Sequence, residues 1–169
     1  MNLDIRNWER FCIGDLFTIR NGKYCYNEEI YNNPGDFVVV QGGENNFGCF
    51  GKIDKKYCID NNYTLTDKPC LTVARMGTVG YVSYQKYGCV VGKGAKILEL
   101  KEANKNSDGV MLFLQTVLNM LRFKYCYWRG IVNHKYVLEH IKLPKDENGE
   151  PDWQFMEEYI KSLHYGKII

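Results

Sequence analysis

The alternation of apolar and polar positions divides the chain into a strand-rich first part and a helix-rich second part. Early in the chain, Phe11 and Ile13 alternate with Arg10 and Cys12, the period of a half-buried strand. Gly14-Asp15 breaks it, and Asp15 is expected to cap one helical turn through Leu16 and Phe17. Asn21-Gly22 is a turn signal. Phe37-Val38-Val39-Val40, within Asp36 to Gln41, reads as a buried strand, and Asp60-Asn61-Asn62 as another turn. Pro69 opens a run, Leu71-Thr72-Val73-Ala74, that leads into Arg75, turns at Gly77 and leaves through Gly80 as a second strand to Tyr84. Tyr87 to Val91 and Ala95 to Leu100 read as further strands separated by Gly92-Lys93-Gly94.

The period then changes. Ser107 and Asp108 are placed to cap a helix running to about Phe123, with Val110, Phe113, Leu114, Val117, Leu118 and Leu121 on its core face. Asn133 is placed to cap a short helix over His134 to Glu139, and Ile141-Lys142-Leu143-Pro144 reads as a closing strand. After a turn at Asp146 to Gly149, Asp152 caps a last helix whose apolar face is Trp153, Met156, Tyr159, Ile160 and Leu163. These elements predict a single α+β domain over 1–169. It has a β-rich part over 1–101 and a helical part over 102–169 that holds the closing strand and the C-terminal helix.

Composition agrees with a globular domain: 45 % hydrophobic and 25 % charged over 169 residues. No run reaches the roughly 18 apolar residues that cross a bilayer. The N-terminal residues lack a signal-peptide core, so a cytoplasmic location is expected. The seven cysteines contain no Cys-x-x-Cys pair and are expected to be reduced, mostly buried apolar residues. Net charge is only +2, but it is unevenly placed. Arg75, Lys86, Lys93, Lys96 and Lys101 face only Glu99 between Cys70 and Lys101, whereas Asp146 to Glu158 is acidic throughout. Either one face is positive or these are scattered solvated charges.

Catalytic patterns are missing: no phosphate-binding glycine loop, no Gly-x-Ser-x-Gly, no His-Glu-x-x-His. Cys12 or Cys126 with His134 makes a nucleophile–base pair only on paper, since nothing marks either cysteine as activated. Asp15, Asp36, Asp60 and Asp67 sit singly in turns. No catalytic group, metal or cofactor is expected. The binding chemistry is more suggestive. Arg75 at the mouth of a glycine turn presents a hydrogen-bonding fork for phosphate or a guanine edge, or is one surface arginine on an ordinary hairpin. Thr78 lies in the same turn, and Lys93 and Lys96 are expected near the next one. Lys23 adjoins Tyr24 and Tyr26. Gln41, Asn45 and Asn46 stand in an amide-rich, glycine-rich loop suited to an adenine edge, or to a plain surface loop. Arg122 to Gly130 interleaves cations and rings, as a nucleic-acid surface does or as a helix end with core rings and solvated cations does, and the basic segment includes Arg129, Asn133, His134 and Lys135.

Three segments together resemble a target recognition domain of the DNA specificity (S) subunits of restriction–modification systems, type I foremost and type IIB beside it. They are Trp8-Glu9-Arg10-Phe11-Cys12-Ile13-Gly14-Asp15-Leu16-Phe17 with Gly22-Lys23; Leu71-Thr72-Val73-Ala74-Arg75-Met76-Gly77-Thr78-Val79-Gly80; and Ile141-Lys142-Leu143-Pro144 followed by Asp146 to Leu163. The resemblance implies a compact α+β domain that reads about half of a bipartite double-stranded DNA site in the major groove. It implies no catalysis of its own, and partner methyltransferase and endonuclease subunits that carry the S-adenosylmethionine and ATP chemistry. A type I S subunit has two such domains separated by long helices. This chain, with one, is expected to be a half-subunit, a fragment of a longer subunit or a stand-alone relative, and a homodimer would rebuild a two-domain reader. Base contacts do not carry over by motif. The DNA-binding candidates Lys23, Gln41, Asn45, Asn46, Arg75, Thr78, Lys93, Lys96, Arg129, Asn133, His134 and Lys135 therefore rest on their chemistry. The rival readings are a non-catalytic interaction or scaffold domain of the same fold, and a small hydrolase or nuclease.

Overall fold

A computed structural model describes residues 3–125, 131 and 133–163. Its frame is two four-stranded sheets packed face to face. The first has the order β2-β9-β6-β7, built from Phe17–Asn21, Ala95–Leu100, Cys70–Ala74 and Val82–Gln85, all antiparallel. The second has the order β4-β3-β8-β5, built from Cys49–Ile53, Phe37–Val40, Cys89–Val91 and Leu65–Thr66. Its β3–β8 pair is parallel and its other pairs are antiparallel. Val40, Cys70, Cys89, Val91, Ala95 and Ile97 fill the space between the sheets.

Strand alternation decides what covers the outer faces. In the first sheet Leu71, Val73, Leu98 and Leu100 point away from the second sheet. They meet helix α4 (Asp108–Asn119), on which α6 (Trp153–Ser162) packs. The helix expected to run to about Phe123 ends at Asn119; its five core-face residues are buried, as is Leu121 in the tighter turn that follows, and as are Trp153, Met156 and Ile160 of α6, while Leu163 is exposed. On the second sheet, Val39, Ile53 and Val90 pack under Cys58 of α3 (Lys55–Asp60) and Ile30 of α2 (Asn27–Asn32). A separate antiparallel pair, β1 (Trp8–Cys12) with β10 (His140–Pro144), brings the two ends of the chain together. The short helices α1 (Ile13–Leu16) and α5 (Asn133–Tyr136) follow β1 and precede β10.

Caps follow the sequence. Ser107 accepts from the Val110 N–H at 3.3 Å, and Asp152 accepts from the Phe155 N–H at 2.9 Å. Asp152→Ala is expected to lower unfolding free energy by about 1 kcal/mol, measured by denaturant titration, because it leaves a first-turn donor of α6 without its carboxylate.

Several expectations are corrected. Asp15 lies inside α1, whose cap position is Cys12 and has no side-chain cap bond. Asn21-Gly22 is no tight turn: Asn21 ends β2 opposite Lys96. The return strand of the hairpin begins at Val82, because Gly80 (φ +86°) still belongs to the loop. Within the β-rich part, α2, α3, β2, β4 and β5 are not expected from the sequence, and Phe17 opens β2 rather than ending a helical turn. The helices are a turn or two long, and Asp54, which caps α3 by accepting from Tyr57 N–H at 2.6 Å, stands in no long apolar period. The buried thiols Cys25 and Cys58 are each pushed up to about 11 by burial, which suits structural rather than reactive cysteines. Cys126, Arg129 and His164 lie outside the described residues. No described helix is long and apolar enough to cross a membrane.

Candidate nucleic-acid interface

Four connections converge at one end of the paired sheets, and glycines decide how closely they approach. The β3–β4 loop starts at Gln41-Gly42, where a Cβ on Gly42 would stand 2.1 Å from the Met76 carbonyl oxygen of the β6–β7 loop. The β8–β9 connection, Gly92-Lys93-Gly94, is where the chain crosses from the second sheet to the first. Its Gly94 carbonyl accepts from the Arg75 and Met76 N–H groups at 2.8 and 3.2 Å. Its Gly92 forms a bridge with Lys23, the residue after the close contact of Gly22 with Gly92. These are backbone-on-backbone contacts, so the loops hold one another in place.

This cluster gathers Lys23, Gln41, Arg75, Thr78, Lys93 and Lys96 from four separate stretches of sequence. Arg75, Thr78 and Lys93 are half-buried and Lys23 is exposed. The Lys93 ammonium bonds to the Tyr24 hydroxyl and lies over its ring, and Tyr24 and Tyr26 stack with ring centres 5.8 Å apart. Gln41 turns inward: its amide donates to the Cys25 carbonyl at 3.2 Å, and its side chain packs over Gly92. Asn45 and Asn46 are exposed farther along the same loop. Lys96 is not at a turn. It sits within β9, only 2 % exposed, between Val73 and Asn21, and its ammonium bonds to the Asn21 side chain.

Burial first, then the nearby Arg75 charge, push the Lys96 ammonium down to about 8. It therefore remains mostly protonated at neutral pH. The ordinary lysine value is about 10.4. Below pH 8 the folded and unfolded chains both hold this proton, and the full cost of the buried charge is present. Between pH 8 and about 10.4 the unfolded chain holds more protons, so stability rises with pH. The stability of the parent relative to Lys96→Met is expected to rise by on the order of 3 kcal/mol between pH 8 and about 10.4, while the variant shows no such pH dependence. Denaturant titrations of both chains across that window check it.

The turn after α4 (residues 120–124) extends the cluster. Arg122 pairs with Glu44 of the β3–β4 loop at 2.8 Å and lies over the Tyr81 ring, and Gly80 packs on its Cα. Tyr125 beside it meets the buried Tyr136 of α5. His134 and Lys135 are exposed on that short helix, which includes Asn133 rather than being capped by it and ends at Tyr136 rather than Glu139. Arg122, a member of the mixed basic and aromatic run, was not singled out, because its Glu44 partner lies 78 positions earlier.

Loops of close-packed glycines carrying two lysines, an arginine and exposed tyrosines form a candidate site, and comparison with known proteins says what class of domain carries it. Residues 5–169 match the type I restriction modification DNA specificity domain, and the chain belongs to that family. A curated relative is the specificity subunit S.BcgI of a type II restriction enzyme from Heyndrickxia coagulans, 26 % identical over 163 residues, which cover 96 % of this chain and 45 % of the relative. Among solved structures, the type I restriction–modification S subunit from M. genitalium superposes with a TM-score of 0.67 at 18 % identity, over 95 % of this chain and 40 % of that one. The HsdS subunit from Thermoanaerobacter tengcongensis gives 0.58 at 16 % identity, over 94 % and 37 %. The chain thus spans less than half the length of the relatives it matches. These structural neighbours share its α+β fold.

Proposed function

We propose that residues 1–169 form one target recognition domain that reads part of a bipartite duplex DNA site and directs partner methyltransferase and endonuclease subunits to it. The chemistry belongs to those partners, and this chain supplies no catalytic group or cofactor. The observation that carries the reading is the loop cluster: Arg75, Lys93 and Lys23 held by glycine-to-backbone contacts at one end of the sheets, in a chain of this family. Arg75, Lys93 and Lys23 are assigned mainly to positioning on phosphates, and the loop amides Asn45 and Asn46 to base edges. Gln41, already bonded to the Cys25 carbonyl, acts by holding the loops.

The test is selection of binding sites from a randomised duplex library at two salt concentrations. The expected result is enrichment of a motif of about three to five base pairs, with affinity that falls as salt rises. Absence of binding at low salt would overturn the reading in favour of a protein-interaction domain of the same fold. We also propose that a second identical chain supplies the other half of the reader. Sedimentation with a duplex carrying two selected half-sites should show two chains per duplex; one chain per duplex would remove the homodimer.

A further inference from the structure

The β3–β4 loop holds an exposed aromatic ring on a backbone that aromatic residues avoid. Asn46 (φ +50°) and Phe47 (φ +55°) are both left-handed, and Gly48 (φ +79°) follows. Asparagine tolerates this region; phenylalanine does so at a steric cost. Core packing does not offset that cost, since Phe47 is 65 % exposed. Nor is the loop loose. The Phe47 carbonyl accepts from the Gln85 side-chain amide at 3.1 Å, and the same amide donates to the Ser83 hydroxyl at 3.0 Å. Ser83 in turn shares a hydrogen bond with the Thr72 hydroxyl at 2.8 Å. Thr72, Ser83 and Gln85 are all buried, and buried polar groups are costly unless bonded to one another or to a fixed partner. At the other side of the loop, the Gln41 N–H donates to the Gly48 carbonyl at 3.1 Å.

We propose that Phe47 is a preformed wedge that inserts against a base step of the target duplex and unstacks it. The inference rests on the DNA reading proposed above. Strained backbone that the surrounding structure over-determines is found where a group must be presented in a fixed pose. An apolar ring carried on a rigid loop suits insertion between bases, because the ordering entropy has already been spent in folding. The loop also points to DNA. It bears Asn45 and Asn46, and its Gly42 packs on the Met76-Gly77 turn beside Arg75. Gln85 is the positioning residue, acting through the Phe47 carbonyl.

The experiment places 2-aminopurine at each step of the duplex that the wild-type chain selects. It compares wild type, Phe47→Ala, Phe47→Trp and Phe47→Gly. The expected result is a fluorescence rise at one step with wild type and Phe47→Trp, its loss with Phe47→Ala, and an affinity loss of about tenfold or more for Phe47→Ala. Phe47→Gly should lose the same signal while its melting temperature rises by about 2–4 °C, because glycine relieves the left-handed strain. A Phe47→Ala chain that keeps both affinity and signal overturns the wedge and leaves the DNA reading standing. So does affinity loss where the wild type gives no unstacking signal at any step. A fall in melting temperature for Phe47→Gly would assign the ring to the fold instead. A wild-type chain that selects no duplex defeats both the wedge and the reading beneath it.

Discussion

Arg75→Ala is expected to weaken binding to the selected duplex by about 1–3 kcal/mol, which is roughly fivefold to more than a hundredfold. The reason is the placement of Arg75 within the braced loops. The Arg75 N–H is tied to the Gly94 carbonyl at 2.8 Å, its side chain is half-buried at the centre of the loop cluster, and its charge is felt by Lys96. A flexible surface arginine loses side-chain entropy on binding; a half-buried one has lost part of it already. Measurements on selected and scrambled duplexes at two salt concentrations separate its roles. A phosphate contact predicts a uniform loss and a salt slope smaller by about one, whereas a base contact predicts relaxed selectivity at one position. Unchanged affinity at low salt would remove Arg75 from the interface.

Gly42→Ala is expected to damage both fold and binding. The added Cβ would stand 2.1 Å from the Met76 carbonyl oxygen, 2.7 Å from its carbon and 3.0 Å from the Gly94 carbonyl oxygen. All three are backbone atoms in loops that brace one another, so the strain cannot be relieved by turning one flexible side chain. Overpacking of this kind costs about 1–3 kcal/mol. The shift would also move the β6–β7 loop that carries Arg75, so duplex affinity should fall further than the fraction unfolded explains. Gly43→Ala is the matched control: nothing lies within 4 Å of its Cβ position, and its stability should change by no more than about 0.5 kcal/mol. Equal behaviour of the two variants in denaturant titration and duplex binding would show that the loops are not held together at Gly42.

Much of the local structure was legible because it depends on near neighbours in sequence. The apolar period from Val110 to Leu121 predicts the core face of α4, Ser107 and Asp152 mark two helix starts, and Phe37–Val40 reads as a buried strand. Short elements were not legible. The helices α2 and α3 are six residues each, too short for a helical period to emerge above the flanking sequence. The loop at 41–48 was recognised as a candidate for base contact through its amides. Nothing in the local sequence marks Phe47, because its left-handed φ and the hydrogen bond its carbonyl accepts from Gln85, 38 positions later, exist only in the folded chain.

What the sequence determines by itself is the α+β class, the longer apolar strands, the two long helices with their caps Ser107 and Asp152, and the family resemblance, since each depends on residue type and short-range spacing. The tertiary structure decides which candidates share a site. It turns Gln41 inward, buries Lys96 in β9 beside Arg75, pairs Arg122 with Glu44, and brings Lys23, Arg75 and Lys93 to one end of the sheets. Those outcomes rest on the chain crossing between two sheets at Gly92–Gly94, and on backbone contacts at Gly22 and Gly42 that span tens of residues. Sheet pairing joins distant segments through hydrogen bonds that every backbone offers alike. The choice of partner is therefore made by packing of the whole domain rather than by any local run of residues.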